Sequence, residues 1–169
     1  MQEVRETSIA EAHQYVQREA PGSGTTVTAA LVLGQQVTIA HVGDSRAYSI
    51  YPDGRIEAIT RDHSLVKRLE ELGHLSKDEV ENFPHRNVLI RALGQGDNLE
   101  ADIFTIPFPQ TGYLMICSDG LWGVISEKEI VRCITEAPTL NQACQNLVES
   151  ANDAGGPDNI TVILAQMIG

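Results

Sequence analysis

Residues 36–51, QVTIAHVGDSRAYSIY, place two apolar runs on either side of the turn Gly43-Asp44. Both runs are rich in β-branched and aromatic residues, which favour strands. A similar run, Thr25–Leu33, precedes this stretch, and another, Arg55–Thr60, follows it. Each is separated from it by a glycine-containing turn. The pattern predicts a meander of four antiparallel strands.

The rest of the chain alternates between helical and strand patterns. Serine or threonine stands before most of the helical runs, as expected of N-caps. Because strands come first and helices dominate later, an α+β fold is favoured over a doubly wound parallel sheet. The predicted helices are Glu3–Glu19, Ser64–Leu72, a short one opening at Ser76, Ser126 to about Thr135, and Thr139 to about Asp153; the further strands are Glu100–Ile106, Thr111–Cys117 and Asn159–Met167, and Asn87–Gly96 is expected to be irregular.

Composition narrows the classes of function. The chain has 169 residues and a formal charge of −11, which argues against nucleic acid as a partner because phosphate binding needs a basic face. The three cysteines (117, 133 and 144) are odd in number and lack a CxxC spacing, which indicates reduced thiols and a cytoplasmic location. No apolar run is long enough for a membrane span, and the first residues do not resemble a signal peptide.

Three aspartates lie in glycine-flanked turns next to predicted strands. They are Asp44, Asp119 in Cys117-Ser118-Asp119-Gly120, and Asp158 in Gly155-Gly156-Pro157-Asp158-Asn159. Each alone could be an ordinary turn residue. Together they could gather carboxylates at strand ends, and oxygen ligands favour Mg²⁺ or Mn²⁺. The arrangement is typical of a candidate two-metal hydrolase.

Two further clusters leave alternatives open. Asp62-His63-Ser64 follows a predicted strand and could belong to a site or cap the next helix. His85-Arg86 with Arg91 could contact a phosphate, because the arginine fork matches its oxygens, or could be a surface loop tied to acidic residues.

These segments together resemble the metal-dependent protein Ser/Thr phosphatases, the PPM family (protein phosphatase type 2C), in its compact bacterial form. The resemblance covers Gly24 to Thr161 and is specific because six motifs occur in the family's order. They are Gly24-Thr25-Thr26, His41-Val42-Gly43-Asp44-Ser45-Arg46, Thr60-Arg61-Asp62-His63-Ser64, Arg91-Ala92-Leu93-Gly94, Cys117-Ser118-Asp119-Gly120-Leu121-Trp122 and Gly156-Pro157-Asp158-Asn159-Ile160-Thr161.

The resemblance implies an α-β-β-α sandwich of antiparallel sheets with outer helices. It also implies hydrolysis of phosphoserine or phosphothreonine on proteins by a hydroxide that bridges two Mn²⁺ or Mg²⁺ ions. Matching positions make Asp119 and Asp158 ligands of the binuclear centre, and Asp44 with Asp119 a third, weaker site. The matching motifs also give supporting residues, Ser118, Gly120, Asn159 and Asp62, and a flap beside the active site over about residues 65–91.

The family's N-terminal portion has no counterpart in this sequence. That portion carries the phosphate-gripping arginine, the metal-bridging aspartate and the proposed general-acid histidine, so the catalytic residues stay unassigned. We therefore expect residues 1–169 to be the C-terminal two-thirds of such a catalytic domain, with a natural, non-catalytic pseudophosphatase or regulatory module as the alternative. Uncovered sheet edges would then favour a dimer or strand exchange.

Overall fold

The computed structural model describes residues 2–81 and 83–167, and this part of the chain holds α-helices and β-strands in mixed order. Most bounds lie within a few residues of those predicted. In chain order the elements are α1 Gln2–Glu19, β1 Val27–Leu33, β2 Gln36–Val42, β3 Arg46–Ile50, β4 Ile56–Ala58, α2 Leu65–Glu71, α3 Lys77–Glu81, β5 Asp102–Pro107, β6 Tyr113–Cys117, α4 Asp119–Trp122, α5 Glu127–Thr135, α6 Leu140–Asp153 and β7 Val162–Gln166.

The described strands form two sheets. One has three strands in the order β1-β2-β5, and the other has four in the order β4-β3-β6-β7. The four-stranded sheet is antiparallel throughout, since β3 pairs antiparallel with both β4 and β6, and β6 pairs antiparallel with β7. The predicted α+β class with antiparallel sheets is therefore confirmed.

The predicted meander is wrong at Gly43. Strands β2 and β3 lie in different sheets, and β3 takes β4 and β6 as its neighbours. Gly43 has φ 112°, and a Cβ placed there would fall 2.4 Å from the Thr26 methyl group, so both the backbone conformation and the close contact at this turn require glycine. Local sequence indicated both strands and their neighbours β1 and β4, but the second neighbour of each, β5 for β2 and β6 for β3, is distant in the chain.

The chain divides into two compact units, which we describe separately. The first comprises residues 1–31, 38–44 and 62–105, and the second comprises residues 32–37, 45–61 and 106–169.

In the first unit, two side chains of α1 hold the irregular segment predicted over residues 87–96. The backbone N–H of Gly94 donates to His13 Nδ1 at 3.0 Å, and Gln17 Nε2 donates to the Gly96 carbonyl at 2.7 Å. An isolated bridge joins Leu93 to Thr25. The segment is thus ordered without helix or regular strand, because its backbone groups find partners on other elements.

The second unit has a hydrophobic core between its sheet and α4, α5 and α6. The Tyr48, Met115, Leu121 and Leu147 side chains are almost completely buried there. Helix α5 begins at the cap that the sequence predicted, since Ser126 Oγ accepts from the Glu129 N–H at 3.2 Å. Helix α6 is capped in the same way by Thr139, whose Oγ1 accepts from the Gln142 N–H at 3.1 Å.

Strand β1 stands at the end of its sheet and is exposed over residues 29–33. Leu31 is 45% and Leu33 50% exposed, although both are apolar. A dimer or strand exchange through such an edge stays a prediction. None of the described helices has the length and apolar character needed to cross a membrane.

The ion pair between Glu129 and Arg132 predicts how the stability of the protein depends on pH. The Arg132 guanidinium, whose Nη2 lies 2.6 Å from Glu129 Oε1, lowers the pKa of that carboxyl from 4.5 to about 2. Such a group adds stability above its unfolded pKa and loses it as the pH falls through the folded value. We expect the free energy of unfolding to fall as the pH drops from 4.5 to about 2, and Glu129→Gln to flatten that fall in urea titrations. Glu149→Gln, at an exposed glutamate of α6, is the matched control; equal flattening in both variants would contradict the assignment.

Candidate metal-binding site

The structure brings Asp119 and Asp158 into adjacent loops of the second unit. Asp119 directly follows β6 and Asp158 shortly precedes β7, and these strands are antiparallel neighbours with Cys117 opposite Val162. The end of one antiparallel strand and the start of the next meet at the same edge of a sheet. The predicted ligands thus lie together for a topological reason.

Ser118 closes the two loops on each other. Its N–H donates to the Thr161 carbonyl at 3.1 Å, its Oγ accepts from the Thr161 N–H at 3.0 Å, and its Oγ donates to the Asn159 carbonyl at 3.0 Å. These bonds extend the pairing of the strands beyond their last residues. Ser118 therefore fixes the spacing of the two loops, and its role in supporting a metal site stays a prediction.

Gly120 lets the two backbones approach closely. It is buried, and a Cβ placed on it would lie 2.4 Å from the Asn159 carbonyl oxygen and 3.3 Å from that of Asp158. Backbone atoms cannot move aside as a flexible side chain can, so only glycine fits. This contact packs Gly120, the residue after Asp119, against the backbone of Asp158 and Asn159.

Each carboxylate is held by the N–H of the residue that follows it. Asp119 Oδ1 accepts from Gly120 at 3.0 Å and Asp158 Oδ1 from Asn159 at 2.7 Å. Asp119 is half-buried and Asp158 is exposed. Holding one oxygen orients each carboxylate while its other oxygen can serve a ligand.

The predicted turn at Asp119 is wrong in detail, because the residue begins the one-turn helix α4. Ser118 occupies the N-cap position with extended backbone, yet its side chain makes no cap bond to α4. Its hydroxyl is engaged with the β7 side of the edge, as described above. The apolar residues Leu121 and Trp122 after Gly120 were a sequence signal for a helical turn that packs on the core.

Asp44 and Asp62 belong to the first unit. Their neighbours are joined by two bonds: the Gly43 N–H donates to His63 Nδ1 at 3.2 Å, and the His63 N–H donates to the Gly43 carbonyl at 2.7 Å. Asp44 is half-buried and Asp62 is buried. The structure therefore gathers these two predicted residues within one unit.

His63 has a second partner that sequence reasoning missed. Its Nε2 lies 3.2 Å from Asp102 Oδ2, and because Nδ1 accepts from Gly43, Nε2 carries the proton and donates to that carboxylate. The helix cap in this motif is Ser64, whose Oγ accepts from the Lys67 N–H at 3.3 Å. Nothing in the local pattern around Asp102 distinguishes it from any other strand residue.

Arg91 is tied to acidic residues, as one of the two alternatives predicted. Its Nη1 lies 3.2 Å from Asp102 Oδ1 and its Nη2 lies 3.7 Å from Glu100 Oε2. Its charge is therefore already matched within the first unit.

The donor chemistry suits a hard divalent cation but supplies only part of a site. Asp119 and Asp158 offer carboxylate oxygens on one edge, as Mg²⁺ and Mn²⁺ prefer. Within residues 2–81 and 83–167, however, no three His, Cys, Asp or Glu side chains are grouped so that they could hold a metal ion. The two aspartates fit as ligands of such an ion without completing its coordination.

Comparison with known proteins identifies the family. A family model described as "Protein phosphatase 2C" matches residues 2–72. The serine/threonine phosphatase stp of Listeria innocua is 41% identical over 86% of this chain, which spans 57% of that protein. The crystal structure of the serine/threonine phosphatase Stp1 from Staphylococcus aureus superposes with a TM-score of 0.88 at 35% identity, over 98% of this chain and 65% of that one.

A third likeness concerns metal. The catalytic domain of the serine/threonine protein phosphatase PstP, solved in complex with two manganese ions, gives a TM-score of 0.78 at 30% identity, over 92% of this chain and 65% of that one. Both the fold and the sequence identity extend over most of the chain. The chain belongs to the protein phosphatase 2C family of metal-dependent Ser/Thr phosphatases, which confirms the resemblance drawn from its motifs, and it spans less than two-thirds of these relatives.

The close contact at Gly120 predicts the effect of a substitution there on stability. In Gly120→Ala the new methyl group would overlap the Asn159 carbonyl, so we expect the two loops to separate and the free energy of unfolding to fall by about 1–3 kcal/mol. Urea unfolding measures the loss. Gly24→Ala is the control, since its Cβ would meet the side chain of Gln95, which can move. Wild-type stability of Gly120→Ala would show that the close approach does not constrain the edge.

Proposed function

We propose that this chain contributes Asp119 and Asp158 to an active site that hydrolyses phosphoserine and phosphothreonine on proteins. The observation that carries the proposal is the joining of the two aspartate loops at one edge of the β6–β7 pair. Membership of a phosphatase family supports the reaction class. The substrate would be a phosphorylated protein.

The cofactors that we propose are two Mn²⁺ or Mg²⁺ ions, and the third, weaker site implied by the resemblance stays a prediction. Such ions supply positive charge that neutralises phosphoryl oxygens and favours the ionisation of a water molecule. The two manganese ions of the related PstP domain support this choice.

The residues of this chain would hold and orient that charge. Asp119 and Asp158 would be direct ligands, each with one oxygen fixed by a backbone N–H. Ser118, Gly120 and Asn159 would keep the ligands at a constant spacing by the bonds and the close contact described above. Rigid ligands lower the reorganisation needed when the phosphoryl group arrives.

Within the described residues, no third His, Cys, Asp or Glu joins Asp119 and Asp158 in a group that could hold a metal ion, and this favours one further element of the proposal. A tight site for Mg²⁺ or Mn²⁺ needs more oxygen ligands than Asp119 and Asp158 supply. We propose that residues 1–169 alone bind the ions weakly and have little activity. The same observation favours a second candidate function, that of a non-catalytic pseudophosphatase or regulatory module.

Metal binding gives the first test of the proposal. We expect Mn²⁺ to bind this chain weakly in titration calorimetry, and Asp119→Asn or Asp158→Asn to reduce that affinity by about tenfold or more, because each removes an anionic ligand. Asp153→Asn is the matched control, with the same change of charge at an exposed residue of α6. Equal affinity in all three variants and the wild type would overturn the ligand assignment.

Hydrolysis of a phosphothreonine peptide gives the second test. We expect any turnover in Mn²⁺ to be abolished by a chelator and lowered about a hundredfold or more in Asp119→Asn, since the charge that stabilises the transition state is lost. Turnover that survives both treatments would contradict a metal-dependent reaction through Asp119. Mn²⁺ binding without turnover would favour the non-catalytic candidate.

A further inference from the structure

The Arg46 guanidinium lies over the indole of Trp122. Its guanidinium carbon is 3.4 Å from the centroid of the Trp122 ring, and its Nη1 donates to the Tyr48 hydroxyl at 3.1 Å. Arg46 is the first residue of β3 and pairs with Cys117, the last residue of β6. The guanidinium therefore starts from the same sheet edge at which Asp119 emerges.

The contact between the Arg46 guanidinium and the Trp122 ring holds the indole in place. A planar guanidinium over an indole face is attracted both by the charge of the cation and by stacking. Tyr48 is 1% exposed, so the hydroxyl that receives Arg46 Nη1 belongs to a side chain fixed in the core. Arg46 is thus anchored at its head as well as at its backbone.

Helix α4 depends on such anchors because it is only four residues long. A single helical turn is unstable by itself, since the first turn fixes several dihedral angles for one hydrogen bond. Leu121 is completely buried and Gly120 contacts the Asn159 carbonyl, so these residues hold the middle of the turn. Trp122 holds its end, under Arg46.

Asp119 and Trp122 are three residues apart, a spacing that places two side chains on the same face of a helix. If the indole is fixed, the rotation of the turn about its axis is fixed, and so is the direction of the Asp119 carboxylate. The Arg46 head group is linked to the carboxylate in this way through Trp122.

We propose that Arg46 is a positioning residue that orients Asp119 through Trp122 for binding of a divalent cation. The inference rests on the proposed function only where it assigns the cation to Asp119. The orientation of the turn is a separate claim and can be measured without metal.

The test compares Arg46→Met, Arg46→Lys and the control Arg132→Met, which removes an arginine from the exposed side of α5. We expect Arg46→Met to weaken Mn²⁺ binding about fivefold in calorimetry, the effect of losing roughly 1 kcal/mol of cation–aromatic interaction. Arg46→Lys keeps the charge but loses the planar guanidinium. Its affinity for Mn²⁺ should therefore lie between those of Arg46→Met and the wild type. Arg132→Met should bind like the wild type.

A metal-free measurement separates positioning from general stability. We expect ¹⁵N relaxation of the Asp119 and Gly120 amides to show increased motion in Arg46→Met, with the amides of α6 unchanged. Trp122 is the single tryptophan of the chain, so its fluorescence emission reports directly whether the stack is lost.

The outcomes are distinguishable. Loss of stability with rigid Asp119 and Gly120 amides would overturn the proposal, because Arg46 would then have a purely structural role. Unchanged Mn²⁺ affinity in Arg46→Met would also overturn it. If the wild-type chain binds no Mn²⁺, the proposed function fails, while the relaxation data still decide whether Arg46 orients the turn.

Discussion

The close approach of Gly120 to the Asn159 carbonyl is the constraint on which the candidate site depends. The loop that carries Asp119 and the loop that carries Asp158 approach each other there so closely that only glycine fits. Ser118 adds hydrogen bonds to both sides of the same junction, which continue the β6–β7 pairing. The position of each carboxylate thus follows from the sheet, and sheet positions are more precise than those of free loops.

Placing two carboxylates on one edge of a sheet has an electrostatic cost. This cost explains why the two aspartates keep contact with water and each accept a backbone hydrogen bond. Like charges at neighbouring loops repel, and the repulsion grows as they leave water. Asp158 is exposed and Asp119 half-buried, so water still screens the pair. A backbone N–H donates to each carboxylate and partly offsets the repulsion. A divalent cation between them would convert the same repulsion into binding energy, which is why a rigid acidic edge favours a metal.

The sequence predicted the elements and the candidate ligands better than it predicted their connections. Strand and helix existence follows from local periodicity and from caps such as Ser126 and Thr139, which act over three residues. The division of β2 and β3 between two sheets could not be predicted in this way, because it depends on pairing with β5 and β6, which are distant in the chain. Asp102 was missed for the same reason: its partner, His63, is 39 residues away.

The supporting residues were predicted as a set, but their roles emerged only from the structure. Ser118 before a helical run looks like an N-cap, yet its hydroxyl bonds to the opposite loop, because the Asn159 carbonyl and the Thr161 N–H lie within reach of it once β6 and β7 pair. Arg46 follows Asp44 by two residues in one motif, and its guanidinium lies over the ring of Trp122 in the helix that Asp119 begins. For this family of motifs, sequence order identifies the residues of a site, and strand pairing decides which of them act together.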